Sequence, residues 1–338
     1  MYLPLHELRS RFDRDRDQIL GSRAFRRLAG KTQVVALPGE PLLRSRLGHT
    51  LEVGLMAREL ARGLGLVEPL AEAIALGHDI GHPAFGHAGE RALAALIPEG
   101  FHHAAHGVRV VTELEPLALR PEVVDGILKH SKGKGGRLDT RGGNSSPFTR
   151  EALAVRAADL FAYACHDLDD AFLLDVLRPT DLPKLAAGVL GTEPPAIRRV
   201  LIDRTVRQSL AEGDLAFDPE VAKALLELRS FLYERLYESP RIVRQTSLVR
   251  ALFESVWEAA CERPRLFAKV LNSHPCTTVL PECRQSGPNQ PHPAAGPITG
   301  RLFGDLLASM TDRQVLRLGR QLRLPRRVRS WPPFRATA

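Results

Sequence analysis

The chain has 338 residues, 44% hydrophobic and 25% charged, a balance that builds a packed core and excludes a chain disordered throughout. No apolar run is long enough to span a membrane, the N-terminal stretch is charged where a secretory signal is apolar, and four scattered cysteines make no disulfide framework; a cytoplasmic globular protein is expected. The formal net charge of +8 is carried almost wholly by arginine, whose planar fork suits phosphate oxygens. Anionic substrates and weak nucleic-acid binding fit that surplus, as does a plain bias of arginine over lysine.

In chain order, "TQVVAL" from Thr32 is at most one short strand, and helical periodicity dominates after it. "HTLEVGLMARELARGLGL" sets Leu51, Leu55, Met56, Leu60 and Leu64 at helical spacing, and "VEPLAEAIALGHD" predicts a second helix running into a His-Asp pair. "SPFTREALAVRAADLFAYACHDLDDAFLLDVL" predicts a long third helix, with Ser146 or Thr149 as its cap. Helical patterns recur in "PEVAKALLELRSFLYERLYES", "SLVRALFESVWEAACE" and "LFGDLLASMTDRQVLRLGRQL". The stretches 131–147, glycine-rich and basic, and 273–297, proline-rich, read as loops. The expectation is an all-α fold: one helical domain over 1–338, a metal-site core over 40–175 and a C-terminal helical extension over 176–338.

The unusual stretch is "ALGHDIGHPAFGHAGE", residues 75–90, which crowds three histidines with an aspartate and a glutamate. Neighbours on a regular helix diverge by about 100°, so His78 and Asp79 reach one ion together only near a helix end, where Gly77 and Gly81 permit a local adjustment. Upstream, His49 opens a helix three residues after Arg46; downstream, Asp159 sits on an otherwise apolar helical face and needs a partner. Two imidazoles and two carboxylates, His49, His78, Asp79 and Asp159, suit Mn²⁺, Fe²⁺, Co²⁺ or Zn²⁺, and Mg²⁺ when phosphate oxygens complete the shell. His274, Cys276, Cys283 and His292 in the second loop match no standard zinc spacing.

The order H…HD…D resembles the HD-domain metal phosphohydrolases. More narrowly, "RLGHTLEV", "ALGHDIGHPAFGHAGE", "ADLFAYACHDLDD" and "MTDR" resemble the deoxyguanosine-triphosphate triphosphohydrolase-like family, from "AFRRLAGKTQV" at residue 24 to residue 310. The resemblance implies an HD helical fold with additional C-terminal helices. It also implies hydrolysis of deoxynucleoside triphosphates by attack of metal-bound water on the α-phosphorus, releasing a deoxynucleoside and intact triphosphate. Carried over position by position, it makes His49, His78, Asp79 and Asp159 the ligands of a divalent ion, Mg²⁺ or Mn²⁺ foremost. His103 lies near the α-phosphate with the pair His87 and Glu90 beside it, and Arg46 and His82 touch phosphate. Gln33 and Asp167 lie near the sugar 3′-hydroxyl, and Tyr163 packs on the sugar, where it leaves little room for a 2′-hydroxyl. His102 and His106 are read as bystanders. The resemblance further implies a homo-oligomer with dNTP effectors.

Two departures from the family pattern stand out. Leu160 follows Asp159 where many members carry a basic side chain facing phosphate, and "FHHAAH" removes a carboxylate and an amide near His103; Lys129 or Arg26 could compensate. Two other functions remain open at this stage: an HD nucleotidase or phosphodiesterase releasing phosphate or pyrophosphate, and a nucleotide- or nucleic-acid-binding regulator that retains the site.

Overall fold

The computed structural model describes residues 10–34, 42–131, 146–272 and 298–329. Most of the two expected loops, with Lys132, Lys134, Arg137, Arg141, His274, Cys276, Cys283 and His292, lies outside the described residues, as does the end of "TQVVAL". Among the described residues there is no strand; the nearest thing is an isolated bridge between Thr32 and Ser45.

The first half of the chain forms α1 (Arg11–Gly21), α2 (Arg23–Arg27), α3 (Arg46–Gly63), α4 (Glu68–Gly77), α5 (Gly86–Leu96), α6 (His103–Arg109), α7 (Pro121–Lys129) and α8 (Arg150–Leu173). The second half forms α9 (Lys184–Leu190), α10 (Pro194–Glu212), α11 (Pro219–Leu232), α12 (Pro240–Glu262), α13 (Pro264–Asn272), α14 (Gly300–Ala308), α15 (Asp312–Gln321) and α16 (Arg326–Arg329). Local chemistry sets the ends. Ser45 Oγ accepts from the Gly48 amide to start α3, and Thr149, rather than Ser146, caps α8 by accepting from the Ala152 amide. The periodic stretch 302–322 is broken where Thr311 and Gln314 form a capping box, so it yields α14 and α15 in place of one helix. The expected apolar stripe of α3 is also corrected: Leu51 and Leu55 are 50% and 46% exposed, and the buried face is Val53, Met56, Ala57, Leu60 and Ala61.

Two apolar cores result. The larger gathers Ile19, Leu28, Met56, Leu60, Ile74, Val155 and Phe161 around the packed trio α3, α4 and α8. The second gathers Phe85, Leu93, Phe253, Phe267, Phe303, Met310 and Leu318 from α5 and α12 to α15. Residues 78–87 cross from one to the other, and buried charges pin the crossing. Lys31 Nζ donates to the carbonyls of His82 at 2.5 Å and Ala308 at 2.7 Å, and burial pushes its amine well below the ordinary lysine range. Asp312 accepts from the Phe85 amide at 2.6 Å, the Thr32 amide at 3.0 Å and the Thr32 hydroxyl at 2.5 Å. Phe85 itself has a left-handed φ of 61°, a conformation a bulky residue adopts only when its surroundings enforce it.

The glycines in this crossing serve close approach more than freedom. Neither Gly77 nor Gly81 has a positive φ. A Cβ on Gly81 would stand 2.1 Å from the His103 carbonyl and 2.2 Å from the Gly107 nitrogen, so α6 can lie directly against the loop that follows α4. His106, far from a bystander, bridges the same contact: Nδ1 donates to the Gly81 carbonyl at 3.0 Å and Nε2 to Asp305 at 3.1 Å, beside Arg109.

Two outcomes are expected. Asp312→Ala strands the buried Phe85 and Thr32 amides and should cost about 2–3 kcal/mol in urea unfolding, with Asp312→Asn milder because it keeps an acceptor. Burial opposes ionisation of Asp305, but His106 and Arg109 hold its carboxyl below the usual range. A depressed folded-state pKa contributes stability above the unfolded value of about 3.9, and that stability is lost as pH falls through the folded value. Asp305→Asn should therefore lower the unfolding midpoint at neutral pH, with the gap from the parent closing as pH drops below about 4.

Candidate metal centre and active site

Three helices converge on one buried cluster. His49 comes from the first turn of α3, His78 and Asp79 follow the end of α4, and Asp159 faces them from α8. His49 Nε2 lies 3.0 Å from Asp159 Oδ1 and 4.0 Å from Asp79 Oδ2; His78 Nε2 lies 3.5 Å from Asp79 Oδ1 and 3.7 Å from Asp159 Oδ1. His78 Nδ1 donates to the Ala75 carbonyl at 2.5 Å, which leaves the lone pair on Nε2. That atom is buried and has no hydrogen-bond partner. A bare imidazole nitrogen and two carboxylates converging with a second imidazole, that of His49, fit a divalent cation.

Charges around the cluster are fixed by burial and pairing. Burial opposes ionisation of Asp79, but the wholly buried guanidinium of Arg46, 2.6 Å from Oδ2, holds its carboxyl well below the usual range. Burial pushes His49 down to about 4, against the pull of Asp159. Asp159, raised by burial, is brought down to about 2 by its bond to His49. The imidazole is thus neutral and the carboxylates charged, the states a cation needs.

Beside the cluster sits a second group whose hydrogens can be assigned from partners. Glu90 accepts from the backbone amide of His103 at 2.8 Å and from its Nδ1 at 2.7 Å, while the other oxygen accepts from His87 Nδ1 at 2.9 Å. Burial would raise Glu90, but these bonds hold it far below the carboxylate range. His87 Nε2 is then an acceptor, and the Tyr163 hydroxyl, whose pKa burial pushes well up, donates to it at 2.7 Å. His103 Nε2 faces His130 Nε2 at 3.0 Å. His130 gives its Nδ1 hydrogen to the Ile127 carbonyl at 2.7 Å, and burial, reinforced by His78 and His103, pushes it down to about 3. Its Nε2 is therefore bare, an acceptor facing His103 Nε2, while His103 Nδ1 carries the hydrogen given to Glu90. Nitrogens of His103 and His130 and an oxygen of Asp79 all lie within 4.8 Å of one another, so a proton-bearing ring stands at the edge of the metal cluster.

His82 stacks on His103 with ring centroids 3.9 Å apart; its Nε2 lies 3.2 Å from Asp79 Oδ1, and its buried Nδ1 has no hydrogen-bond partner. Gln33, also buried and unpartnered at its side-chain amide, lines with His87, Leu160 and Tyr163 a cavity of about 770 Å³. Asp167, whose carboxyl burial and then Asp170 push well above the usual range, takes a hydrogen bond from the hydroxyl of Tyr237, which also lines the cavity. Arg46, given a phosphate role by the resemblance, lies wholly inside and spends its guanidinium on Asp79 and the Gln33 carbonyl. Of the cations that could compensate for Leu160, Lys129 is engaged by Asp125 at 2.6 Å and Arg26 is exposed; Arg91 and Arg229 line the cavity instead.

The sequence reading missed His130, His166 and Tyr237. His166 carries a legible signal, lying seven residues after Asp159 and so two turns along the same helical face. His130, a lone histidine at a helix end, carries none.

A helical frame that delivers H…HD…D to one buried point defines an HD-class metal phosphohydrolase. Comparison with known proteins agrees: residues 46–164 match the HD domain and residues 215–321 the phosphohydrolase-associated domain. The chain is 39% identical to a deoxyguanosinetriphosphate triphosphohydrolase-like protein of Caldanaerobacter subterraneus subsp. tengcongensis, over 78% of this chain and 77% of that one. Proteins of the same description from Desulfatibacillum aliphaticivorans and Bordetella parapertussis are 38% and 32% identical, over 91% and 94% of this chain and 86% and 91% of theirs. The chain belongs to the deoxyguanosinetriphosphate triphosphohydrolase-like family. No described helix is long and apolar enough to cross a membrane.

Removing Asp79 strands Arg46 in the interior. Asp79→Ala should therefore cost metal-free protein about 3 kcal/mol or more in urea unfolding, while His78→Ala, which breaks no charge pair, costs less. Equal costs would mean that Arg46 finds another carboxylate.

Proposed function

We propose that the protein hydrolyses deoxynucleoside triphosphates at the α-phosphorus, giving deoxynucleoside and inorganic triphosphate. The observation that carries this reading is that His87 and Tyr163, which stand beside the metal cluster, line a cavity of about 770 Å³, a volume in the range of small-molecule sites. A plain phosphatase has no need of so large a wall beyond the reacting phosphorus. The names of the related proteins point the same way.

His49, His78, Asp79 and Asp159 would hold the ion, Mn²⁺ or Mg²⁺ being best matched to phosphate oxygens completing the shell. When bound, such an ion lowers the pKa of its water and polarises a phosphoryl oxygen. The chain's own groups supply the rest. His103, held by Glu90, donates a proton to the leaving 5′-oxygen. Glu90 also fixes the tautomer of His87, whose second nitrogen is tied to Tyr163. In this reading the Tyr163 ring lies under the deoxyribose and crowds the place of a 2′-hydroxyl, with Gln33 and Asp167 near the 3′-hydroxyl. His82 offers its unpartnered Nδ1 to phosphate. The reading extends to a homo-oligomer responsive to dNTP effectors, so substrates must be tried in mixtures as well as singly.

The test is chromatography of products from each dNTP, alone and mixed, with Mn²⁺ or Mg²⁺. Deoxynucleoside with triphosphate supports α-phosphorus attack; monophosphate with pyrophosphate, or stepwise phosphate, rejects it in favour of a nucleotidase. His103→Ala should lower kcat by about 10²–10⁴-fold with metal content unchanged.

A further inference from the structure

His49 turns only one ring nitrogen toward the metal cluster. Its Nδ1 points away, 3.2 Å from Nδ1 of His166, whose ring meets it edge-on at 89° with centroids 5.3 Å apart. His166 is buried on α8, two turns beyond Asp159, so one helix supplies both a carboxylate to the cluster and a histidine behind it. On its far side, His166 Nε2 lies 2.5 Å from Oε2 of Glu52, a residue of α3 whose side chain is 41% exposed. That contact is short but off the ring N–H axis, an angle that rotation of a half-exposed carboxylate corrects. Glu52 is held in turn by Arg44, whose Nε reaches Oε1 at 3.1 Å and whose other nitrogens grip Asp169 at 2.8 Å and Asp170 at 3.0 Å.

Without a cation His49 Nε2 can donate to Asp159 at 3.0 Å; with one bound, counting hydrogens gives this row a single direction. A nitrogen that offers its lone pair to a cation carries no proton, so a neutral His49 bears its hydrogen on Nδ1. That N–H needs an acceptor in a site closed to water, and the atom facing it is His166 Nδ1. His166 must then carry its hydrogen on Nε2, where a carboxylate, an acceptor only, awaits it. Each atom in the row takes the role its neighbour requires.

We propose that His166 and Glu52 are positioning residues of the metal centre: a Glu52–His166–His49 row that locks His49 in the tautomer and orientation presenting Nε2 to a divalent cation. Partners of this kind behind a ligating histidine raise its basicity and hold its ring, and their loss costs about 10–100-fold in metal affinity. The proposal rests on the reading of His49 as a metal ligand and is independent of which phosphate bond is cut.

The test is Mn²⁺ binding to the metal-depleted full chain, read from the paramagnetic resonance of free Mn²⁺, with the unfolding midpoint of the metal-free form measured alongside. His166→Ala should weaken Mn²⁺ binding by about 10–100-fold. His166→Asn, which sets an amide oxygen near the place of Nδ1, should recover most of the loss. Glu52→Ala should weaken binding by about tenfold, and Glu52→Gln, which keeps an oxygen acceptor, should stay close to the parent. A packing role alone would lower the metal-free midpoint but would make Ala and Asn alike in Mn²⁺ affinity, which overturns the proposal. So does parent-like affinity in both alanine variants. If His166→Ala fails to fold, Glu52→Ala at its half-exposed position decides alone. A parent that binds Mn²⁺ yet hydrolyses no dNTP rejects the proposed reaction and leaves this assignment standing, whereas a parent that binds no Mn²⁺ overturns the assignment.

Discussion

A guanidinium without exposed surface lies 2.6 Å from a carboxylate that is also inside the protein, and the site is arranged around that pair. Arg46 is the first residue of α3 and Asp79 stands just past the end of α4, so their attraction fixes where two helices begin and stop relative to each other. Charges taken out of water are costly unless paired with good geometry. Arg46 also donates to the Gln33 carbonyl, which ties the 31–34 segment into the same arrangement. The pair keeps Asp79 ionised beside His78 and His82 and holds a negative charge where a cation must be attracted. Once this constraint is met, His49 and His78 have their carboxylate neighbours and Asp159 closes the cluster from α8.

The histidines around that pair divide by what they share. His78 and His130 each give a hydrogen to a backbone carbonyl three residues earlier and so turn a bare nitrogen inward. His87 and His103 share one glutamate, which accepts from Nδ1 of each and leaves His87 Nε2 an acceptor toward Tyr163. Identical side chains thus have their tautomers set by their acceptors, and the low-polarity interior strengthens each bond. His106 is drawn off to Asp305 and serves packing between α6 and α14.

Much of this was legible in the sequence where chemistry and spacing coincide. The HD pair at a helix end, His49 at a helix start, and Asp159 with Tyr163 one turn on could be placed before any coordinates, because helical period fixes which side chains share a face. The pairing of His87 with Glu90 was legible only through the family resemblance. What was not legible depends on contacts between distant segments. His130 approaches His103 only because Gly81 and Gly107 let α6 settle against the loop after α4. The pairing of Arg46 with Asp79 had no local signal, because its partner is 33 residues away. Leu51 and Leu55 have the right period for a core face, yet α3 turns its smaller residues inward to admit α4 and α8. The break between α14 and α15 lay in plain view as "TDRQ", a capping box inside an otherwise continuous apolar rhythm.

The seam formed by Lys31, Asp312 and the strained Phe85 bears on how such a protein can change over evolutionary time. The segment that matches the phosphohydrolase-associated domain supplies the carboxylate that shapes the turn leading to His87, although it lends no ligand to the metal cluster. The two matched regions are therefore not interchangeable modules. A recombination that brought in a foreign C-terminal half would keep His49, His78, Asp79 and Asp159 and still misplace His87 and Glu90, unless an acceptor for the Phe85 amide came with it. Inheritance of the two halves as one piece is the economical route, and the tolerance for drift lies on the outer faces of the late helices, away from Asp312.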